Sequence, residues 1–368
     1  MFRRLPHTLP PDPSFPPDLE TLGFFINEDD QIRMIKNPTQ KYQYQINRND
    51  RVNQVYKEAN NAAVRKIIRH RLFELALETV RIPLGASEGE NHVPILVSKD
   101  IGTKDRVIVF FGERAYEPGL LSWRVIGEEG IKVGSLLDFV GAALFGPTPT
   151  SQHAGPGIVI ANPCQLLWYR GGARAVSSNE WLNLPRESAV HEAFRVDEVK
   201  NKIPGNRNYE EHVHYIFDHV LPILVKQEAR LDIIGLEFPG SAVVEYLSAH
   251  WDPWSSRITG ISLIAPQHKI QDLIDDGAPI EFVEFISKRC RAYFVSPSRL
   301  EKPIEGRERL GCNCYSSGET MYQDSAMVRC WGSVLDWFNM LHANPEYQEV
   351  EFLSIEDGKA GEEANLGW

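Results

Sequence analysis

The sequence predicts an α/β protein in three layers, with a mostly parallel central sheet between two layers of helices. Three observations predict it. Short, apolar, β-branched runs bounded by turn residues recur along the chain, and VIVFF, IVIAN, DIIGL and ISLIA suit strands covered on both faces. Segments with apolar residues at helical spacing separate these runs, which is the alternation a parallel sheet demands. Between Leu231 and Leu247 the chain reads as a buried strand, a sharp turn and a helix with no loop between them.

Taken in order, residues 1–18 form a Pro-rich arm, with Pro6, Pro10, Pro11, Pro13, Pro16 and Pro17, expected to lie extended on a surface or stay mobile. Residues 19–77 form an extension packed on the core. Its first part, Leu19 to Tyr44, alternates apolar runs with Asn-Glu-Asp-Asp and Asn-Pro turn signals, predicting a short hairpin. Its second part, Asn49 to Leu77, carries Val52, Val55, Tyr56, Ala63, Ile67, Ile68, Leu72, Leu75 and Leu77 at helical spacing, predicting one long helix or two. The main domain spans 78–345. Its strands are predicted at Thr79–Pro83, Val93–Val97, Arg106–Phe111, Gly157–Ala161, Leu231–Leu236, Ile258–Ile264 and Arg291–Val295. Tyr209–Ala229, Ile280–Cys290 and Met327–Leu341 read as amphipathic helices, and the mixed stretch 171–207 as an insertion of the lid or binding-surface type. An acidic tail, 346–368, follows.

A chain of 368 residues fits one large α/β domain with additions. The formal net charge of −11 argues against a protein that coats nucleic acid through its phosphates, so no bulk nucleic-acid binding is expected. The densest basic group, Arg65, Lys66, Arg69 and Arg71, is read as a solvated helix face. Five cysteines, Cys164, Cys290, Cys312, Cys314 and Cys330, and no secretory signal point to a reduced intracellular protein. No run approaches the roughly 20 apolar residues of a membrane span, so no membrane association is expected. Cys312-Asn-Cys314 lacks a second pair, and His212, His214 and His219 lack the i, i+4 spacing of a helical metal site, so neither metal nor cofactor is expected. Trp251-Asp-Pro-Trp254 is read as a capped loop whose aromatics, if exposed, would mark a partner surface.

The window Gly235, Leu236, Glu237, Phe238, Pro239, Gly240 resembles the nucleophile elbow of α/β-hydrolases, G-x-S-x-G, in which a strained turn lifts a serine oxygen above the sheet. Glu237 stands at the serine, and Pro239 replaces the second glycine. A carboxylate in a first helical turn meets the positive end of the dipole, and proline has its φ preset there. Glu237 is therefore expected to cap its helix, turning the elbow into an ordinary helix start. The alternative keeps chemistry: Glu237 as carboxylate nucleophile or general base, with His268 as the activating base and Glu301 orienting it.

In order from about Leu19 to His342, the blocks LETLGFFINEDDQIRMIK, VIVFFGE, IVIANPCQ, EEHVHYIFDHV, IIGLEFPGSAVVEYL and AYFVSPSR resemble the Argonaute-binding-protein-two (Arb2) domain family. Its relatives include fungal siRNA-chaperone subunits, a C-terminal module of fungal class II histone deacetylases and an animal cotranscriptional regulator. The resemblance implies an α/β-hydrolase-like domain, and some members keep an elbow A-H-S-Y-G-G and a late histidine. Here Tyr322, in YSSGETMYQDSA, falls where that histidine is expected, and Phe111-Gly112-Glu113-Arg114 replaces a His-Gly-small-Gly run. Gly112, Glu113 and Phe238 thus mark a vestigial oxyanion region, and no catalytic residue is assigned. The resemblance implies a noncatalytic interaction module in Argonaute- and siRNA-linked heterochromatin assembly and gene silencing. Its partners would be an Argonaute complex or a histone or deacetylase complex, in nucleus or cytoplasm.

Overall fold

A computed structural model describes residues 8–41, 43–146 and 155–352. The chain opens with β1 (Phe24–Ile26), β2 (Ile32–Met34) and β3 (Asn37–Lys41), a three-stranded antiparallel sheet, so the expected hairpin gains a third strand. A single helix of 25 residues follows, α1 (Asp50–Glu74), started by Asn49, whose side chain accepts from the Arg51 amide. Next come β4 (Leu77–Ile82), β5 (Val93–Ser98), β6 (Arg106–Phe111), α2 (Trp123–Glu128), α3 (Leu137–Phe145) and β7 (Gly157–Ile160). A two-stranded ribbon, β8 (Leu167–Tyr169) and β9 (Arg174–Val176), leads to α4 (Ser178–Leu182). The predicted helix over 209–229 is broken into α5 (Tyr209–Tyr215), a π-helical turn at Ile216–Val220 and α6 (Leu221–Leu224). The second half runs β10 (Arg230–Leu236), α7 (Glu237–Ala249), α8 (Trp251–Ser255), β11 (Ile258–Ile264), α9 (Ile270–Asp275), α10 (Ile280–Arg289) and β12 (Cys290–Phe294). It closes with β13 (Pro303–Ile304), α11 (Arg307–Leu310), β14 (Asn313–Ser316) and α12 (Ala326–Ala343).

Among the described residues nine strands build the central sheet, in the order β4-β5-β7-β6-β10-β11-β12-β14-β13. From β7 to β14 every neighbouring pair is parallel, while β4, β5 and β13 add antiparallel edges. This is the strand order of the α/β-hydrolase fold. Alternation along the strands splits the core into two layers. In β6, Val107, Val109 and Phe111 join the layer that holds Phe217, Tyr246 and Trp254, whereas Ile108 and Phe110 join the layer that holds Leu72, Phe139 and Phe338. After β6 the chain crosses to β7 on one side, and after β10 it crosses to β11 on the other. The crevice of a parallel sheet opens at such a switch point, outside the carboxyl ends of the strands. Gly235 pairs with Phe111 across the β6–β10 boundary, so the loop after β6 and the turn after β10 leave the sheet side by side.

Among the additions, the described part of the Pro-rich arm is fastened down. Asp12 forms an ion pair with Arg51 at 2.8 Å, the Pro10 carbonyl accepts from Ala189, and Phe15 meets Tyr56 edge to face. Residues 1–7 of that arm and 353–368 of the tail lie outside the described residues. Arg65 is half-buried and pairs with Glu58 at 2.5 Å and Glu117 at 3.1 Å, and Arg71 pairs with Asp30 at 2.7 Å. The expected solvated basic face is thus corrected at these two positions: the loop after β6 and the N-terminal sheet cover that side of α1 and bring carboxylates to it. Among the described residues no helix is long and apolar enough to cross a membrane.

A candidate site at the strand-to-helix elbow

Strand β10 passes into α7 with no linker, and Glu237 makes the turn at φ +47°. That is the left-handed region, which costs a side chain of this size on the order of 1–3 kcal/mol. Two glycines permit the crossing: a Cβ on Gly235 would stand 2.5 Å from the Gly240 Cα, and one on Gly240 would stand 2.7 Å from the Gly235 carbonyl. The expected ordinary helix start is therefore wrong. The residue before α7, Leu236, makes no side-chain cap, and the Glu237 carboxylate accepts from Gln323 Nε2 at 2.5 Å instead of bonding helix amides. The turn is strained, with a carboxylate at its apex.

Tyr322 is corrected as well. Its ring is exposed and lies 3.8 Å from the Arg124 guanidinium, while the next residue, Gln323, reaches Glu237. The cause is the loop after β14, where one oxygen of Glu319 accepts the amides of Thr320, Met321 and Tyr322 at 2.9, 3.0 and 3.3 Å. This wound turn leaves Tyr322 outward and Gln323 over the elbow. No local pattern in the sequence signals it.

Glu113 and Asp324 complete the surroundings. Burial, with the nearby Glu237 and Asp324 charges, pushes the Glu113 carboxyl up to about 7. Asp324 accepts from Ser122 Oγ at 2.8 Å and from Tyr116 OH at 3.2 Å. Arg114 turns onto the Phe238 ring, 4.1 Å from its centre, and lies 6.0 Å from that of Tyr209. Arg114, the residue after Glu113, thus packs on the Phe238 ring, and bulk and charge stand beside the turn.

The alternative catalytic set does not assemble. His268 is buried, its Nε2 lies 3.3 Å from the Leu310 carbonyl, and burial lowers it to about 4. Ser241 Oγ fixes this segment by accepting the amides of Gln267 and His268. Glu301 pairs with Arg291 at 3.7 Å. Neither residue hydrogen-bonds Glu237: the turn after β11 is tied back onto α7 through Ser241, and Glu301, in the loop after β12, faces Arg291.

The helical histidines serve packing. His212 Nε2 accepts from the Asn162 amide at 2.9 Å, which leaves Nδ1 to donate to Asn206 Oδ1 at 2.7 Å, and burial lowers this imidazole to about 3. His214 stands edge-on to Tyr246, and His219 lies against Tyr215. Trp251 and Trp254 are buried, which removes them from any partner surface; they sit in α8 against Phe282, Phe285 and Phe217. All five cysteines are free and buried. Among the described residues no group of three or more His, Cys, Asp or Glu is spaced to hold a metal ion.

No curated protein gives a significant match. Among solved structures the chain is similar to a bacterial heroin esterase, at 9% identity over 76% of this chain and 91% of that one, with a TM-score of 0.32. An esterase from the archeon Pyrobaculum calidifontis shares 9% identity over 83% and 94% of the two chains, with a TM-score of 0.33. Esterases from the fungus Rhizomucor miehei share 10% over 76% and 90%, at 0.32. At these scores the fold rests on the strand order itself. The profile of the Arb2 domain matches residues 15–300, a span that holds the N-terminal sheet, α1, the elbow and β12. With that match over most of its length, the chain belongs to the Arb2 domain family.

Proposed function

We propose that this chain is a pseudo-hydrolase, a noncatalytic protein-interaction module, acting in Argonaute- and siRNA-linked heterochromatin assembly and gene silencing as its family likeness suggests. One observation carries the noncatalytic part: a Glu237–Gln323 pair stands where a serine and histidine would be. Acyl transfer needs an attacking oxygen and a base within hydrogen-bond reach of it. Glutamine has no titratable nitrogen to serve as that base.

A second reading, carboxylate chemistry at Glu237, draws on the elbow strain, since left-handed non-glycine residues cluster at working sites. One experiment separates the two. Purified protein is offered short acyl esters, epoxides and haloalkanes beside a Glu237→Gln variant. The expected result is no turnover above buffer by either; turnover that Glu237→Gln abolishes would sink the noncatalytic reading. Affinity purification of the native protein tests the pathway, with recovery of Argonaute or of a deacetylase complex as the expected outcome.

A further inference from the structure

The rim of the elbow is apolar and open. Phe238 is 37% exposed, Tyr322 43% and Met321 70%. Phe238 comes from the first turn of α7, and the other two from the loop after β14. Aromatic residues, methionine and arginine are the types that concentrate binding energy at protein interfaces. Each ring already carries a guanidinium on one face, Arg114 on Phe238 and Arg124 on Tyr322. Met321 is the most open apolar surface left to a partner, with the uncovered parts of the two rings beside it.

Behind this rim sits negative charge without a full counter-charge. Glu237 and Asp324 are near enough to Glu113 to oppose its ionisation, and Arg114 is the cation that favours it. Arg124 is engaged by Glu128 at 2.8 Å and Glu319 at 3.6 Å. Asp324 holds Ser122 and Tyr116, and Glu237 holds Gln323, while among the described residues no hydrogen bond reaches the Glu113 carboxylate. These carboxylates are not spaced to share a metal ion. An open apolar rim over an under-compensated anionic floor is complementary to a segment that pairs an apolar side chain with a cation.

We propose that this mouth docks a segment of a partner protein in which a lysine neighbours an apolar residue, the ammonium against Glu113 and Glu237 and the apolar side chain against Met321 and the edge of Phe238. The proposal rests on the noncatalytic reading, because Glu237 then acts as a counter-charge. Lysine is chosen over arginine because a compact ammonium needs no flat stacking surface, and each ring here already stacks one guanidinium. The incoming cation also favours ionised Glu113, so binding releases a proton near neutrality and strengthens from pH 6 to pH 8.

The test titrates the isotope-labelled full chain with acetyl-Leu-Lys-Leu-amide and with the same peptide carrying norleucine for lysine, following amide shifts. The lysine peptide should move Glu237, Phe238 and Met321 and bind about fivefold or more tightly than the norleucine peptide. A Glu113→Gln/Glu237→Gln variant should bind the two alike. Met321→Ser, at an exposed position, should weaken the lysine peptide with the rest of the spectrum unchanged. Equal binding of the two peptides by the unaltered protein, shifts that avoid the mouth, no shifts at millimolar peptide, or an unaffected Met321→Ser variant would each overturn the proposal. Ester turnover lost in Glu237→Gln overturns the noncatalytic reading instead, so the two failures are distinct.

Discussion

Glu113 shows how a single side chain carries the cost of a changed site. Burial and the charges of Glu237 and Asp324 raise it from the ordinary 4.5 to about 7. Between those two values the folded protein holds a proton that the unfolded chain has released, so stability falls as pH rises through that window. Above pH 7 the cost stays constant. Glu113→Gln removes it, and the variant should match the parent near pH 4.5 yet exceed it by about 1–2 kcal/mol at pH 8, after discounting for solvent screening. Urea midpoints at both values measure this; a gap that does not widen with pH would count against the assignment. Glu237 bears a different cost, in its backbone, with a hydrogen bond to the exposed Gln323 to set against it.

At the level of elements, the contact of β10 with α7 decides the site. Strand and helix touch backbone to backbone at Gly235 and Gly240, and this closeness forces the left-handed turn at Glu237 whatever side chain sits there. Gly240→Ala would push a methyl to 2.7 Å from the Gly235 carbonyl. The expected loss is about 1–3 kcal/mol, read from denaturant midpoints, together with altered amide shifts at Glu237. A stability change within a few tenths of a kcal/mol would show that the crossing is loose. The loop after β14 is the second deciding element, since Glu319 winds it so that Gln323 reaches the elbow.

Over the whole molecule, the additions to the sandwich are held by buried charges that each join distant segments. Glu349 is the clearest. It accepts from Tyr315 OH at 2.6 Å, Arg291 Nε at 2.8 Å, Tyr347 OH and Asn313 Nδ2 at 3.0 Å and Trp337 Nε1 at 3.1 Å. It ties the segment after α12 to β12 and β14. Glu349→Ala would leave Arg291 without this partner and several donors unmet, so a loss of about 3–5 kcal/mol is expected. A melting temperature unchanged from the parent would refute that role. On the other side of the fold, Arg65 joins α1 to Glu117 in the loop after β6, and Arg51 joins α1 to Asp12 in the arm.

By itself the sequence determined the layers, the central strands and the elbow, because VIVFF, DIIGL and ISLIA can only be buried and Gly235 to Gly240 allows no loop. Arg106–Phe111 and Ile258–Ile264 have the bounds expected of them. It did not reveal β14, whose residues Asn-Cys-Tyr-Ser carry no strand pattern and are fixed by pairing with β12 and by Glu349. Nor did it place Gln323 at the elbow, 86 residues from Glu237 in the chain, or bury Trp251 and Trp254. Local patterning reports which residues leave water. Which side chains meet across the end of a sheet depends on strand order and on how each loop is wound, and those are set by contacts between segments far apart in the chain.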